Sequence, residues 1–334
     1  MVESSRKISD KLHNRFIQEQ AEHEATQPVP RSLLDSFDED IDQRIATRQV
    51  AVEEILQQSI GEPFFAEAGF ILYLGDCVNF LTALSKSELR VSLTITSPPY
   101  NIGKEYERHM PIGKYVNWCS DWMKLVYGIT HGNGAFWLNV GYLEVPDKGL
   151  GVPIPYLIWD KSAFYFLQEI VWTYGAGVSA RRRLSPRNEK WLFYVKNREQ
   201  YTFNLDDIRD ANVKYPNQKK NGKYRCNPLG KNPSDVWEFP KVTTGKDRSS
   251  RERTGHPAQF PLSVVERIVR ACSNVTDVIV DPFAGSCSTG IAATGLGRVF
   301  IGFESRADYC QLAVERFKNF MAERRRVQEQ VTLF

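Results

Sequence analysis

Apolar residues recur along the chain with two periods, and elements end where the period breaks. Phe70 to Leu74, Val278 to Val280 and Val299 to Phe303 are near-continuous apolar runs, the pattern of strands buried on both faces. Val91-Ser92-Leu93-Thr94-Ile95 alternates instead, with the period of two that a strand requires. Gly134 to Val140, Leu167 to Tyr174 and Trp191 to Val195 read as further strands, while Val116 to Ile129, Ile291 to Leu296 and Leu312 to Arg326 are spaced for helices. Strands interleaved with helices predict an α/β domain. Trp118, Trp122 and Trp137 fall at helical or strand spacing and are expected in the core rather than stacked on a ligand. Residues 9–25 and 40–60 have helical spacing but many Glu, Gln and Asp, and Thr26-Gln27-Pro28-Val29-Pro30 separates them. Residues 1–68 thus form an acidic helical extension, able to cover the sheet, pair two copies or contribute to a binding cleft.

Two strands end in chemistry. The strand finishing at Thr96 runs into Ser97-Pro98-Pro99-Tyr100. Proline has no N–H, and a residue before proline is held extended, so the carbonyls of Ser97 and Pro98 stay out of any helix as free acceptors. A hydroxyl, a bare carbonyl and an aromatic plane suit a planar ring with an exocyclic amine, and a nucleobase is such a ring. In isolation the same run reads as a stiff turn or a polyproline ligand. A second motif turns the balance. The strand at Val278 continues as Asp281-Pro282-Phe283-Ala284-Gly285-Ser286-Cys287-Ser288-Thr289-Gly290, a small-residue turn leading into a helix. That is the layout of a nucleotide-type cofactor loop at the carboxyl end of a parallel strand. Ser286 and Cys287 follow Gly285 where a dinucleotide site has its second glycine, which counts against a nicotinamide cofactor. Glu304 closes the next strand 19 residues after Gly285, where an acid can accept from both hydroxyls of a ribose.

Together these motifs resemble those of the S-adenosylmethionine-dependent DNA amino-methyltransferases. The serine in Ser97-Pro98-Pro99-Tyr100 resembles the cytosine-N4 branch, found as modification enzymes of restriction systems. The resemblance extends to Gly75-Asp76-Cys77, to Asn188 through Lys196 and to Gly255-His256-Pro257-Ala258-Gln259-Phe260-Pro261, and spans roughly residues 69 to 320. Cys287 departs from it, standing where glycine is usual. A Rossmann-like methyltransferase fold with a mostly parallel, doubly wound sheet is implied. Because the amine motif precedes the cofactor loop by about 180 residues, the order resembles a circularly permuted class. Its parts would be a catalytic half at 69–198, a target-recognition segment at 199–254, and a cofactor half with the C-terminal helix at 255–334.

The implied activity is methyl transfer from S-adenosylmethionine to the N4 amine of a flipped cytosine in double-stranded DNA. Ser97 and the Pro98 carbonyl would accept the two amine hydrogens within the rigid Pro98-Pro99 frame, and Tyr100 would stack on the base. Ser97 is not expected to be a covalent nucleophile, since it lacks an elbow pattern and a nearby histidine. For the cofactor, the resemblance implies that Asp76 accepts from the adenine amine and that the Cys77 backbone pairs with the ring. Asp281, Phe283, Gly285 and Ser286 would form the turn around the remainder, Glu304 would take the ribose, and His256 and Pro257 would close over the tail. Adenine-N6 methylation on the same scaffold and a non-catalytic nucleic-acid-binding module are the alternatives. A cognate restriction endonuclease would be only a genetic partner.

Charge sharpens the picture. The net charge of +3 hides an asymmetry: residues 1–70 hold seven Lys/Arg against fourteen Asp/Glu, and residues 180–253 hold nineteen against nine. The basic stretch contains Lys219, Lys220, Lys223, Arg225, Arg248 and Arg251, interleaved with Tyr215, Tyr224 and Trp237, and suits phosphate contact and groove readout. With 334 residues and 42% hydrophobic content, the chain can bury a large core. Six cysteines without a C-x-x-C pair predict a reduced, cytoplasmic setting, and five histidines without ligand spacing predict no metal. No apolar run approaches the length of a membrane span and the start lacks a signal core, so no membrane role is expected. Monomer and homodimer both remain open.

Overall fold

The computed structural model describes residues 31–34, 39–103, 109–175, 177, 179–242 and 252–332. The predicted helix at 9–25, and Arg248 and Arg251, lie outside them. A nine-stranded sheet forms the middle layer. Its order is β1 (Phe65–Glu67), β2 (Phe70–Leu74), β13 (Val299–Glu304), β12 (Val278–Asp281), β3 (Val91–Thr96), β4 (Thr130–Val140), β8 (Asn188–Val195), β7 (Tyr165–Thr173) and β11 (Val236–Glu238). Pairing is parallel from β2 through β4 and again between β7 and β11, while β1 and β8 run antiparallel to their neighbours.

The continuous apolar runs force helices onto both faces. Phe70 and Leu72 of β2 join one core cluster and Ile71 and Tyr73 the other, as period two dictates. The first face carries α1 (Arg31–Leu34), α6 (Leu262–Cys272), α7 (Ser288–Gly295) and α8 (Ala307–Thr332). The second carries α2 (Glu39–Ile60), α3 (Cys77–Leu84), α4 (Ile112–Ile129) and the short α5 (Pro155–Ile158). The described part of the acidic extension therefore covers the sheet: Leu33 and Leu34 are buried on one face, and Ile45, Val52 and Leu56 on the other. In α4 the buried residues Tyr115, Cys119, Trp122, Val126 and Ile129 repeat every three or four positions, and Met123 widens the same stripe. Trp122 and Trp137 are core residues as expected, whereas Trp118 is half-buried and its ring lines the cavity described below.

Trp237 is not part of a basic surface. It is 6% exposed, because β11 adds to the sheet edge and stacks its ring on Trp137 at 5.6 Å. Asn204, also from the 199–254 stretch, donates its backbone N–H to the carbonyl of Ala271 at 2.7 Å and its amide to Ser273 at 3.0 Å, tying this stretch to α6. A separate hairpin, β5 (Tyr142–Val145) with β6 (Gly149–Pro153), follows β4, and another, β9 (Lys219–Lys220) with β10 (Lys223–Tyr224), stands exposed at the surface. From β12 the chain crosses through α7 to β13, and from β3 through α4 to β4, so connections diverge on opposite sides of the β3–β12 pair. A crevice opens at the carboxyl ends of strands where the order reverses in this way.

Candidate active site

Both motifs meet at that crevice. Thr96, the last residue of β3, donates its hydroxyl to Asp281 Oδ1 at 2.6 Å, although 185 positions separate them. Thr289 donates to Asp281 Oδ2 at 2.8 Å and the Phe283 N–H to Oδ1 at 3.1 Å. Asp281 is 3% exposed, and burial pushes its carboxyl up to about 6 despite these three donors. The carboxyl acts as a joint between the halves, and beside it lies a cavity of about 980 Å³.

Ser97-Pro98-Pro99-Tyr100 lines one side of the cavity. Ser97 Oγ donates to Tyr100 Oη at 3.1 Å, and Tyr100 Oη donates to Asn139 Oδ1 at 2.6 Å. The Pro99 carbonyl accepts from Tyr115 Oη at 2.9 Å, which fixes the loop on α4. Gly141 leaves space for the Tyr100 ring; a Cβ there would come within 3.1 Å of it. Beyond Tyr100, Glu189 Oε1 is paired with Lys241 Nζ at 2.6 Å, and Lys241 lies 4.0 Å over the Tyr174 ring.

On the other side the turn after β12 wraps a cradle. The Gly285 N–H donates to Glu304 Oε2 at 2.9 Å and the Arg306 N–H to Oε1 at 2.9 Å. Burial raises the Glu304 carboxyl above its ordinary range. Glu304 pairs with Leu74 in the register of β13 and β2, which brings Asp76 to the same rim. Asp76 caps α3 through Oδ1, accepting from Val78 at 2.7 Å and Asn79 at 3.4 Å. The Cys77 thiol is buried, and desolvation holds its pKa far above the usual thiol value, which favours the neutral thiol. Phe283 meets Trp118 and Trp122 edge-on at 5.6 and 5.3 Å.

Gly285 has φ +51°, and a Cβ there would lie 2.8 Å from His256 Nε2. His256 is 8% exposed; burial pushes its pKa down to about 4, so the ring is neutral near pH 7. Its Nδ1 accepts from the Ala258 N–H at 3.2 Å, while Pro257 stands exposed at the rim. Ser286 is 3% exposed, and Cys287, at φ +56°, does adopt the left-handed turn where glycine is usual, at a cost of roughly 1 kcal/mol.

Several participants left no sequence signal. Arg316 of α8 reaches the loop from behind and donates to the Ser286 carbonyl and to Ser288 Oγ, each at 2.9 Å. Asn139 and Lys241 are equally silent, whereas Glu189 falls inside the segment 188–196 that the resemblance covers. Lys219, Lys220, Lys223 and Arg225 do not line the cavity; Arg183, Arg187, Lys241 and Arg306 do. Among the described residues no three His, Cys, Asp or Glu side chains cluster as metal ligands, and no helix is long and apolar enough to cross a membrane.

Residues 91–315 match a family model described as DNA methylase, of the N6_N4 type. The chain is 55% identical over 263 residues to the Type II methyltransferase M.ScaI of Streptomyces caespitosus, covering 79% of this chain and 86% of that protein. It is 32% identical over 235 residues to the DNA adenine methyltransferase YhdJ of Escherichia coli, covering 68% of this chain and 76% of that one. The solved PvuII DNA methyltransferase (cytosine-N4-specific) superposes with a TM-score of 0.58 at 18% identity, over 80% of this chain and 95% of that chain, and so shares the fold. The chain belongs to the DNA methylase family of N6 and N4 amine methyltransferases.

Proposed function

We propose that this enzyme methylates the N4 amine of a cytosine extruded from duplex DNA, using S-adenosylmethionine, as the modification enzyme of a restriction-modification system. The observation that carries this reading is the Thr96–Asp281 hydrogen bond of 2.6 Å, which holds the strand end before Ser97 against the turn of the Gly285–Glu304 cradle, so that both line one cavity. The cradle fits the cofactor chemically: two carboxylates, Asp76 and Glu304, and a glycine turn with no room for a side chain suit an amine and hydroxyls approaching the backbone closely. When bound, S-adenosylmethionine supplies an electrophilic methyl group. Glu304 holds its ribose, Asp76 and the Cys77 N–H hold its adenine, and Asp281 through Ser286 wrap the rest. Neutral His256 and Pro257 cover it without adding positive charge.

The lone pair of a cytosine N4 is delocalised into the ring, so the amine must be held in line and its pyramidal form favoured. Ser97 spends its own proton on Tyr100, which leaves the lone pairs of Oγ as acceptors. Together with the Pro98 carbonyl they take the two amine hydrogens and build electron density on the nitrogen. Tyr100 supplies the stacking face. Methylation leaves the nitrogen cationic and therefore acidic, and it gives up one of its two hydrogens as a proton to solvent. A base inside the stack offers neither face nor amine, so the target leaves the duplex first.

In the segment 199–254, the hairpin of β9 and β10 sets Lys220 opposite Lys223, a like-charge pair that is unfavourable in the free protein and favourable against phosphate. The motif order agrees with the permuted class. Adenine N6 is the second reading, favoured by the likeness to YhdJ. The test is digestion of DNA treated with enzyme and cofactor, followed by mass spectrometry of the nucleosides. N4-methylcytosine is the expected product, and N6-methyladenine would overturn the cytosine assignment.

A further inference from the structure

Leu184 is the most exposed large apolar side chain among the described residues, at 94%. Isolated exposed leucines are ordinary on protein surfaces and alone mean nothing. This one lies on the rim of the cavity that Ser97 and Tyr100 line, in the connection between β7 and β8. It directly follows Arg181-Arg182-Arg183, all exposed, and belongs to neither core cluster. The loop is closed at its base: the Ala180 N–H donates to Ser185 Oγ at 3.0 Å and the Tyr174 N–H to the Arg187 carbonyl at 3.1 Å. An apolar side chain is thus presented to water by a tied loop, directly after three exposed arginines in the chain, at the rim of the cavity assigned above to the extruded base.

We propose that Leu184 is a wedge that enters the base stack as the target base leaves it, while Arg181, Arg182 and Arg183 hold the flanking phosphates. Unstacking a base costs a few kcal/mol, and a side chain inserted between base steps offsets part of it by leaving water and filling the gap. The inference rests on the proposed reading that the target is flipped into the cavity. Because Leu184 contacts no core, its substitution leaves folding unaffected, and any effect belongs to the complex with DNA.

The experiment compares single-turnover methyl transfer on two duplexes that carry the mapped methylation site, one fully paired and one with the target base opposite an abasic position. The abasic partner lowers the cost of extrusion and makes a wedge dispensable. Leu184→Ala is expected to slow transfer by about tenfold or more on the paired duplex and by no more than about twofold on the abasic one, with Leu184→Met near wild type on both. With 2-aminopurine at the target position, the fluorescence rise on binding should be smaller for Leu184→Ala than for wild type. Equal rates for Leu184→Ala and wild type on the paired duplex overturn the proposal, as does an equal loss on both duplexes. If wild-type enzyme binds the duplex with 2-aminopurine at the target position and its fluorescence does not rise, the base-flipping reading itself fails, and the wedge with it.

Discussion

Asp281→Asn replaces the buried carboxyl that joins the two halves by a group of the same shape that cannot ionise. Burial places the Asp281 pKa at about 6, against an ordinary value of 3.8. Between those values the folded protein keeps a proton that the unfolded chain has lost. Stability from this group is therefore complete below pH 4 and disappears as the pH rises through 6. At about 1.4 kcal/mol per pKa unit, the full effect is about 3 kcal/mol, of which about 2 kcal/mol falls between pH 4.5 and 8. The variant lacks this dependence. Its amide must instead be accommodated by turning the Thr96 or Thr289 hydroxyl into an acceptor, a cost of about 1 kcal/mol at every pH. Urea unfolding followed by tryptophan fluorescence, at intervals from pH 4.5 to 8, measures both proteins; Glu304 and the other carboxylates titrate in both and cancel to first order. The advantage of wild type over Asp281→Asn should shrink by about 2 kcal/mol across the range. A difference that stays flat refutes the buried acid as the joint.

Other substitutions separate the remaining roles. Glu304→Ala should raise the dissociation constant for S-adenosylmethionine by about tenfold or more in calorimetry, as loss of uniform binding does; an affinity within a factor of about two of wild type refutes the ribose role. Gly285→Ala should lower stability by roughly 1–2 kcal/mol and abolish cofactor binding, because φ is +51° and the new Cβ meets His256; unimpaired binding would show that the cradle yields. Replacing Lys220 and Lys223 together by Gln should leave cofactor affinity intact and reduce the log–log salt slope of duplex binding by about two; an unchanged slope removes the hairpin from the phosphate contacts.

What was legible in the chain was local. The runs at Phe70, Val91, Val278 and Val299 became four adjacent strands, and each motif was placed correctly at a strand end, since backbone period and proline chemistry act over a few residues. Boundaries moved outward: α4 starts at Ile112 after Pro111, not at Val116, and the terminal helix spans Ala307–Thr332 rather than Leu312 to Arg326. The joint itself was invisible, because Thr96 and Asp281 meet only through the pairing of strands distant in sequence. Trp237 was misread among its basic neighbours for a related reason, since its burial depends on β11 docking beside β7. Arg316 carried no signal in the chain, because its contact with the Ser286 carbonyl is made only when α8 packs behind that loop.

The most direct measurement determines, on one preparation of Ser97→Ala, the single-turnover rate constant for methyl transfer to duplex DNA together with the affinities for cofactor and duplex. Loss of an oriented acceptor at the reacting amine should slow transfer by about a hundredfold, with both affinities within about twofold of wild type. A rate equal to wild type, or a loss that saturating cofactor restores, would contradict the assignment of Ser97 to the amine.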